Sequence, residues 1–167
     1  MCGIVGYIGD KDSFPILIKG LQRLEYRGYD SAGVAISNVD EDGVQIFKKK
    51  GKVQDLLDHV GDKTPSGTAG IGHTRWATHG PPNDVNAHPH TARLGRLAMI
   101  HNGIIENYES LRTSLEANGH AFVSDTDTEV LIHLIEEVQS RADCSIVDAV
   151  QLALKEVEGA YAIAIID

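Results

Sequence analysis

The chain has 167 residues, 42% hydrophobic and 23% charged, with a formal net charge of −9 at pH 7. This fits one globular domain with a substantial core, and the acidic balance argues against a nucleic-acid or anionic-membrane surface, since both need a basic footprint. No apolar run approaches the roughly 18 residues of a membrane span, no secretory leader is expected ahead of the first strand, and two cysteines, Cys2 and Cys144, suit a reducing cytoplasm better than a disulfide framework.

The chain opens Met1-Cys2-Gly3-Ile4-Val5-Gly6, and residues 2–9 form a Gly-interrupted apolar run that predicts a buried strand. Ser13 suits a helix cap, with Phe14, Leu17, Leu21 and Leu24 at helical spacing and Pro15 in the first turn. That helix should fail near Gly28. Strand-like segments at 32–38 and 44–49 flank the turn-rich Asp40-Glu41-Asp42-Gly43 and predict a hairpin. Val53, Leu56, Leu57 and Val60 mark a short amphipathic helix, and a loop leads to a strand near 68–74.

Residues 76–95 carry little periodicity and contain three prolines, Pro81, Pro82 and Pro89; a stretch of this kind is usually functional or disordered. A strand is expected at 96–102, then a helix capped by Asn107, holding Leu111 and Leu115, and closed by Asn118-Gly119. Further expectations are a strand at 120–124, a helix over 127–139, a helix started by Ser145 and Asp148, and a last strand over 160–166 that reads as buried on both faces. Mixed helices and strands with hairpins favour a layered α+β fold with largely antiparallel sheets.

Cys2 stands where removal of the initiator methionine would leave a thiol and a free α-amino group on one residue. The thiol titrates near 8.5 and the amine near 7.7–8.0, so nucleophile and base would arrive together. A small apolar residue starting a buried strand is the plain alternative.

Four clusters carry more chemistry than a plain fold requires. Glu25-Tyr26-Arg27-Gly28-Tyr29-Asp30-Ser31 lies at a helix end, where Arg27 could simply satisfy the last carbonyls. His73-Thr74-Arg75-Trp76-Ala77-Thr78-His79-Gly80 puts a carboxylate-binding guanidinium, the single tryptophan and two histidines where a strand enters the long loop. His101-Asn102-Gly103 offers an amide and a backbone N–H for an oxyanion, or merely a turn. Thr126 and Glu129 form a capping box around Asp127, an aspartate also placed to receive an amino group. His88 and His90, with His73, His79 and His101, invite a metal site. The spacing of zinc modules and the His-Glu-x-x-His pattern are both missing, so no metal or other cofactor is expected.

As a set, these segments resemble the glutaminase domain of the class II glutamine amidotransferases, a branch of the N-terminal nucleophile hydrolases. The matching stretches are Met1 to Gly6, Leu24 to Gly33, His73 to Gly80, Asn86 to His90, His101 to Asn107 and Thr126 to Glu129, in the family's order. Trp76 favours the sugar-phosphate branch, since the phosphoribosyl branch tends to carry tyrosine there.

The resemblance implies a four-layer αββα sandwich that hydrolyses L-glutamine to L-glutamate and ammonia through a Cys2 thioester. In the sugar-phosphate branch the ammonia makes glucosamine 6-phosphate from fructose 6-phosphate. Cys2 would be the nucleophile, Asn102 and Gly103 the oxyanion hole, and Arg27 a support for the N-terminal residue. Arg75 would bind the α-carboxylate and Asp127 the α-amino group. Trp76, Thr78 and His79 would belong to a closing loop, with His88 nearby. The resemblance further implies that residues 1–167 form a single glutaminase domain, shortened at its C-terminus. Sugar-phosphate isomerase domains and a homodimer would belong to the full enzyme. A non-catalytic glutamine-binding module, or an amidotransferase with a different acceptor, are the alternatives.

Overall fold

Apolar residues alternate along the strands and recur every third or fourth position along the helices, and this sorts the chain into layers. The computed structural model describes residues 2–37, 43–63 and 65–167. In chain order the elements are β1 (Gly3–Ile8), α1 (Ser13–Leu24) with a 3-10 turn at Glu25–Arg27, β2 (Ser31–Ser37), β3 (Val44–Lys50), α2 (Val53–Val60) and β4 (Ala69–Arg75). Then follow β5 (His90–Thr91), β6 (Ala98–Ile105), α3 (Tyr108–Ala117), α4 (Asp127–Ala142), α5 (Ile146–Ala153) and β7 (Gly159–Ile166). The residues expected to turn the β2–β3 hairpin, Asp40 to Asp42, lie outside the described residues.

One sheet has the order β1-β4-β2-β3 and the other β5-β6-β7, and every pairing in both is antiparallel. On the outer face of the first sheet, Leu17 and Leu21 of α1 and Leu56 of α2 pack on Val34 and Ile36. On the outer face of the second, Val130, Leu131 and Ile135 of α4 pack on Met99 and Ile105. The inner faces meet through Ala35, Ile71, Ala98 and Ile100. The result is the four-layer αββα sandwich that the resemblance implies.

Several local expectations are corrected. Ser13 is the first residue of α1 rather than its cap, and its hydroxyl is spent on the Ala69 carbonyl at 3.4 Å. Asn107 holds the N-cap position of α3, as expected, but its side chain makes no capping bond. Its amide instead bridges the Glu156 carbonyl at 2.8 Å and the Glu158 N–H at 3.0 Å, tying the start of α3 to the approach to β7. Residues 120–124 are not a strand. The Glu129 carboxylate takes the Val123 and Ser124 N–H groups at 2.9 and 2.7 Å, so donors that a ladder would use are satisfied by a side chain. The capping box is therefore half made: Thr126 accepts from the Glu129 N–H at 3.3 Å, while the Glu129 carboxylate reaches further back.

The strand expected at 96–102 is β6, which runs on to Ile105, so His101-Asn102-Gly103 is neither a strand end nor a turn. Gly103 has φ +124°, and a Cβ there would stand 2.1 Å from the Ala160 carbonyl oxygen. Glycine is needed for close approach of β7, not to reverse the chain. β7 itself is half-exposed rather than buried on both faces, and among the described residues its one strand neighbour is β6.

Truncating Ile135, which is fully buried under the second sheet, should cost about 2–5 kcal/mol. Truncating Ile8, 85% exposed, should stay within about 0.5 kcal/mol. Urea midpoints for Ile135→Ala and Ile8→Ala check the pair, and equal losses would contradict the layer assignment.

Candidate active site

The inner faces of the two sheets are apolar along most of their contact and polar at one end. Alternation explains which side chains arrive there. On β4, Ile71 faces the second sheet, so His73 and Arg75 face it too. On β6, Ala98 and Ile100 face the first sheet, so Asn102 does as well. Ile4 packs inward, and Cys2, two residues earlier, shares that side. A cavity of about 570 Å³ opens at this end, and Cys2, Arg27, Arg75, Trp76, Thr78, His79, His88, Asn102, Gly103 and Asp127 all line it. The structure thus brings together every site residue expected from the sequence.

The Cys2 sulfur accepts the Trp76 N–H at 3.1 Å and lies 3.5 Å from the Trp76 carbonyl. Burial pushes its thiol pKa up, while the Trp76 N–H works in the other direction by favouring the thiolate. Across the sheets, the Asn102 amide donates to the Cys2 carbonyl at 3.1 Å. Trp76 is 49% exposed at the cavity rim, edge-on to Tyr29 with ring centroids 5.5 Å apart.

Arg75 is buried, with one guanidinium nitrogen donating to the His79 and Gly80 carbonyls. Its Nη1 has no hydrogen-bond partner among the described residues. A buried guanidinium donor left open beside a cavity is costly unless a ligand completes it. Asp127, also buried, starts α4 and accepts the Ile105 N–H at 3.0 Å. His101 and His79 approach its carboxylate at 3.8 and 3.9 Å. A carboxylate and a guanidinium therefore face the same space.

Segment 76–95, irregular apart from the two residues of β5, is held by side chains in place of a ladder. Asp30 accepts the Ala77 N–H at the segment's start. Fully buried Asn86 bonds the Pro81 carbonyl at 3.0 Å and exchanges bonds with Asp125 at 3.2 and 3.0 Å. Lys48 donates to the Val85 and Ala87 carbonyls at 3.0 and 2.9 Å, and burial lowers its pKa to about 8. The His88–Pro89 peptide in this segment is cis.

Sequence reasoning did not single out Thr128, Thr126 or His73 for a role at this site. Thr128 Oγ1 meets His88 Nε2 at 2.8 Å and His101 Nδ1 at 3.0 Å, and Thr126 Oγ1 meets His90 Nε2 at 3.1 Å. The capping pattern accounts fully for threonines at a helix start, so it conceals this second use. His73 had a signal: it shares the parity of Arg75 on β4.

His73, His88 and His90 do cluster, with ring centroids 4.3 and 4.8 Å apart, but the Nε2 of each is already engaged, by the Asn102 amide and the His101 carbonyl for His73 and by threonine hydroxyls for His88 and His90. Among the described residues, the ligand atoms that converge within 4.8 Å are those of His120, His133 and Glu136, away from the cavity. Their own bonds account for them. The two Nδ1 atoms lie 2.9 Å apart, His120 Nε2 meets Glu137 at 2.9 Å, and Glu136 accepts the Arg93 and Leu94 N–H groups.

Burial holds His73 down to about 4 from its usual 6.5, and His88 and His90 well below that usual value. The unfolded chain takes up these protons near pH 6.5, whereas the folded chain resists them. Stability should therefore be fully present above about pH 6.5 and fall as pH drops toward 4. His73 alone accounts for on the order of 3 kcal/mol. Urea midpoints should fall between about pH 7 and about pH 5, less steeply in His73→Gln. A midpoint unchanged over that interval would contradict the buried neutral histidines.

Comparison with known proteins agrees with this geometry. The family described as a glutamine amidotransferase domain matches residues 54–167. The chain is 60% identical over all of its length to glutamine–fructose-6-phosphate aminotransferase (isomerizing) of Bacteroides thetaiotaomicron, covering 27% of that protein. It is 54% identical over 99% of its length to the Thermus thermophilus enzyme of the same name, covering 26% of it. The chain thus spans about a quarter of the length of these curated relatives. Among solved structures, the glutamine phosphoribosylpyrophosphate amidotransferase of B. subtilis superposes with a TM-score of 0.85 at 28% identity, over 99% of this chain and 35% of that one. No helix among the described residues is long and apolar enough to cross a membrane. With a family match over most of its length and a cavity gathering the thiol, amide, guanidinium and carboxylate, the chain belongs to the glutamine amidotransferase domain family.

Proposed function

We propose that the chain hydrolyses L-glutamine to L-glutamate and ammonia through a thioester on Cys2, as the glutaminase part of a longer amino-sugar-forming enzyme. The observation that carries this reading is the convergence, on one cavity, of Cys2, the Asn102 amide, the open Nη1 of Arg75 and the buried Asp127 carboxylate. Recognising a free amino acid needs one cationic and one anionic partner. Arg75 offers a planar fork for the α-carboxylate, and Asp127 an acceptor for the α-ammonium.

With Met1 removed, the α-amino group of Cys2 takes the thiol proton as sulfur attacks the side-chain amide carbon. A base on the same residue matters because burial raises the thiol's pKa. The oxyanion of the tetrahedral intermediate takes bonds from the Asn102 NH2 group and the Gly103 N–H. The intermediate collapses to the thioester as the carbon–nitrogen bond breaks, and the α-ammonium returns its proton to the departing ammonia. Water then cleaves the thioester, releasing glutamate and the thiol. Arg27, which lines the cavity, supports the N-terminal residue, while Trp76, Thr78 and His79 close over the ligand beside His88.

In keeping with the relatives' names, the ammonia would pass to fructose 6-phosphate, giving glucosamine 6-phosphate. On this reading residues 1–167 form one glutaminase domain, with sugar-phosphate isomerase domains completing the enzyme. A homodimer and a cytoplasmic setting, with both cysteines as thiols, fit the same reading.

Glutamate release by the purified chain, beside Cys2→Ala, tests the proposal: release should vanish in the variant, and equal rates would remove Cys2 from the mechanism. Asn102→Ala should lower kcat roughly 10²–10³-fold with little change in KM; a change in KM alone would take the amide out of the oxyanion hole. Arg75→Ala should mainly weaken glutamine binding, by about 2–5 kcal/mol, measured as KM and by calorimetry.

A further inference from the structure

His73 has no part in the roles above, although it is 1% exposed and touches the amide assigned to the oxyanion. Its Nε2 lies 2.8 Å from Asn102 Oδ1 and 3.1 Å from the His101 carbonyl oxygen. Both neighbours are acceptors, so Nε2 carries the hydrogen and shares it between them. Burial keeps the ring uncharged at neutral pH, with a pKa of about 4, so Nδ1 is the bare nitrogen. The His88 ring, stacked at 4.3 Å, walls one side of the imidazole.

This tautomer determines which way Asn102 points. With Oδ1 on the His73 N–H, the NH2 group faces the Cys2 carbonyl, to which it donates at 3.1 Å. The reverse orientation would set Oδ1 against the Cys2 carbonyl and NH2 against the His73 N–H, losing both bonds. An amide nitrogen has two hydrogens. One is used on Cys2, and the second is available to the cavity that Asn102 lines.

We propose that His73 is a positioning residue whose Nε2–H locks the Asn102 amide with its NH2 group toward Cys2 and the bound substrate. The inference rests on the glutaminase reading for its catalytic consequence and on geometry alone for the lock. Asn102 without the lock could rotate and present an oxygen to the developing oxyanion. The defect would appear in the transition state and not in ground-state binding.

Two measurements test it. Nitrogen-15 NMR of the imidazole ring at neutral pH should show His73 neutral with its proton on Nε2; a proton on Nδ1, or an imidazolium, overturns the lock whether or not the chain turns over. Steady-state glutamate release should show His73→Leu reducing kcat roughly 10- to 100-fold with KM nearly unchanged. His73→Gln, which restores an N–H donor, should recover most of that loss. On an Asn102→Ala background, His73→Leu should cost nothing further, because the group it orients is gone. Unchanged kcat in His73→Leu, or a full additional loss on that background, would overturn the proposal. Failure of His73→Gln to rescue, with its thermal midpoint unchanged, would do the same. An inactive wild-type chain with the Nε2–H tautomer would count against the glutaminase reading while supporting the lock.

Discussion

One polar bridge crosses the interface between the sheets, and the site depends on it. Asn102 of β6 donates to the carbonyl of Cys2, one hundred residues away in sequence, and accepts from His73 of β4. Along most of their contact the sheets meet through small and branched side chains such as Ala35, Ala98, Ile71 and Ile100. That choice brings the layers close enough for a short amide to span the gap at the end. Gly103, next in the chain, answers a separate demand within its own sheet, since a Cβ there would collide with the neighbouring strand β7.

Burial then decides the charge pattern. His73, His88 and His90 are held neutral by desolvation, so they pack against one another without repulsion. Arg75 and Asp127, with Arg27, line the cavity as its charged side chains. In such surroundings a charge–charge contact is worth several times its value in water. Arg75 spends one nitrogen on the carbonyls of the loop that begins at Trp76 and keeps another open. On the proposed reading, ligand capture and loop position are tied to a single guanidinium. The same desolvation raises the Cys2 thiol, so on the proposed reading the nucleophile needs its own base, which Cys2 carries once Met1 is removed.

Much of the fold was legible because it rests on periodicity. The helices around Leu17, Leu56, Leu131 and Ala149 occupy nearly their expected positions, and β1 to β4 follow the apolar runs. What periodicity missed was decided by competition for backbone donors. Glu129 draws in the N–H groups of residues 123 and 124 and so abolishes a strand that alternation predicts. Asn107 prefers two distant backbone groups to its own helix. Asn102-Gly103 has the composition of a turn, and only the approach of β7 reveals why glycine is there. The cavity residues were legible as local clusters, each with a plain structural alternative, and their convergence belongs to the tertiary fold. Thr126 and Thr128 stayed hidden because helix capping already explains them.

The proposed chemistry rests on one atom, the sulfur of Cys2. The most direct measurement is to incubate the chain with a glutamine analogue carrying an electrophilic carbon in place of the side-chain amide, then map the adduct by mass spectrometry. A single adduct is predicted, on Cys2 of a chain lacking Met1, with labelling suppressed by glutamine and strongly reduced in Arg75→Ala. Modification of Cys144 with Cys2 untouched, or labelling of Cys2 that glutamine does not protect, would contradict it.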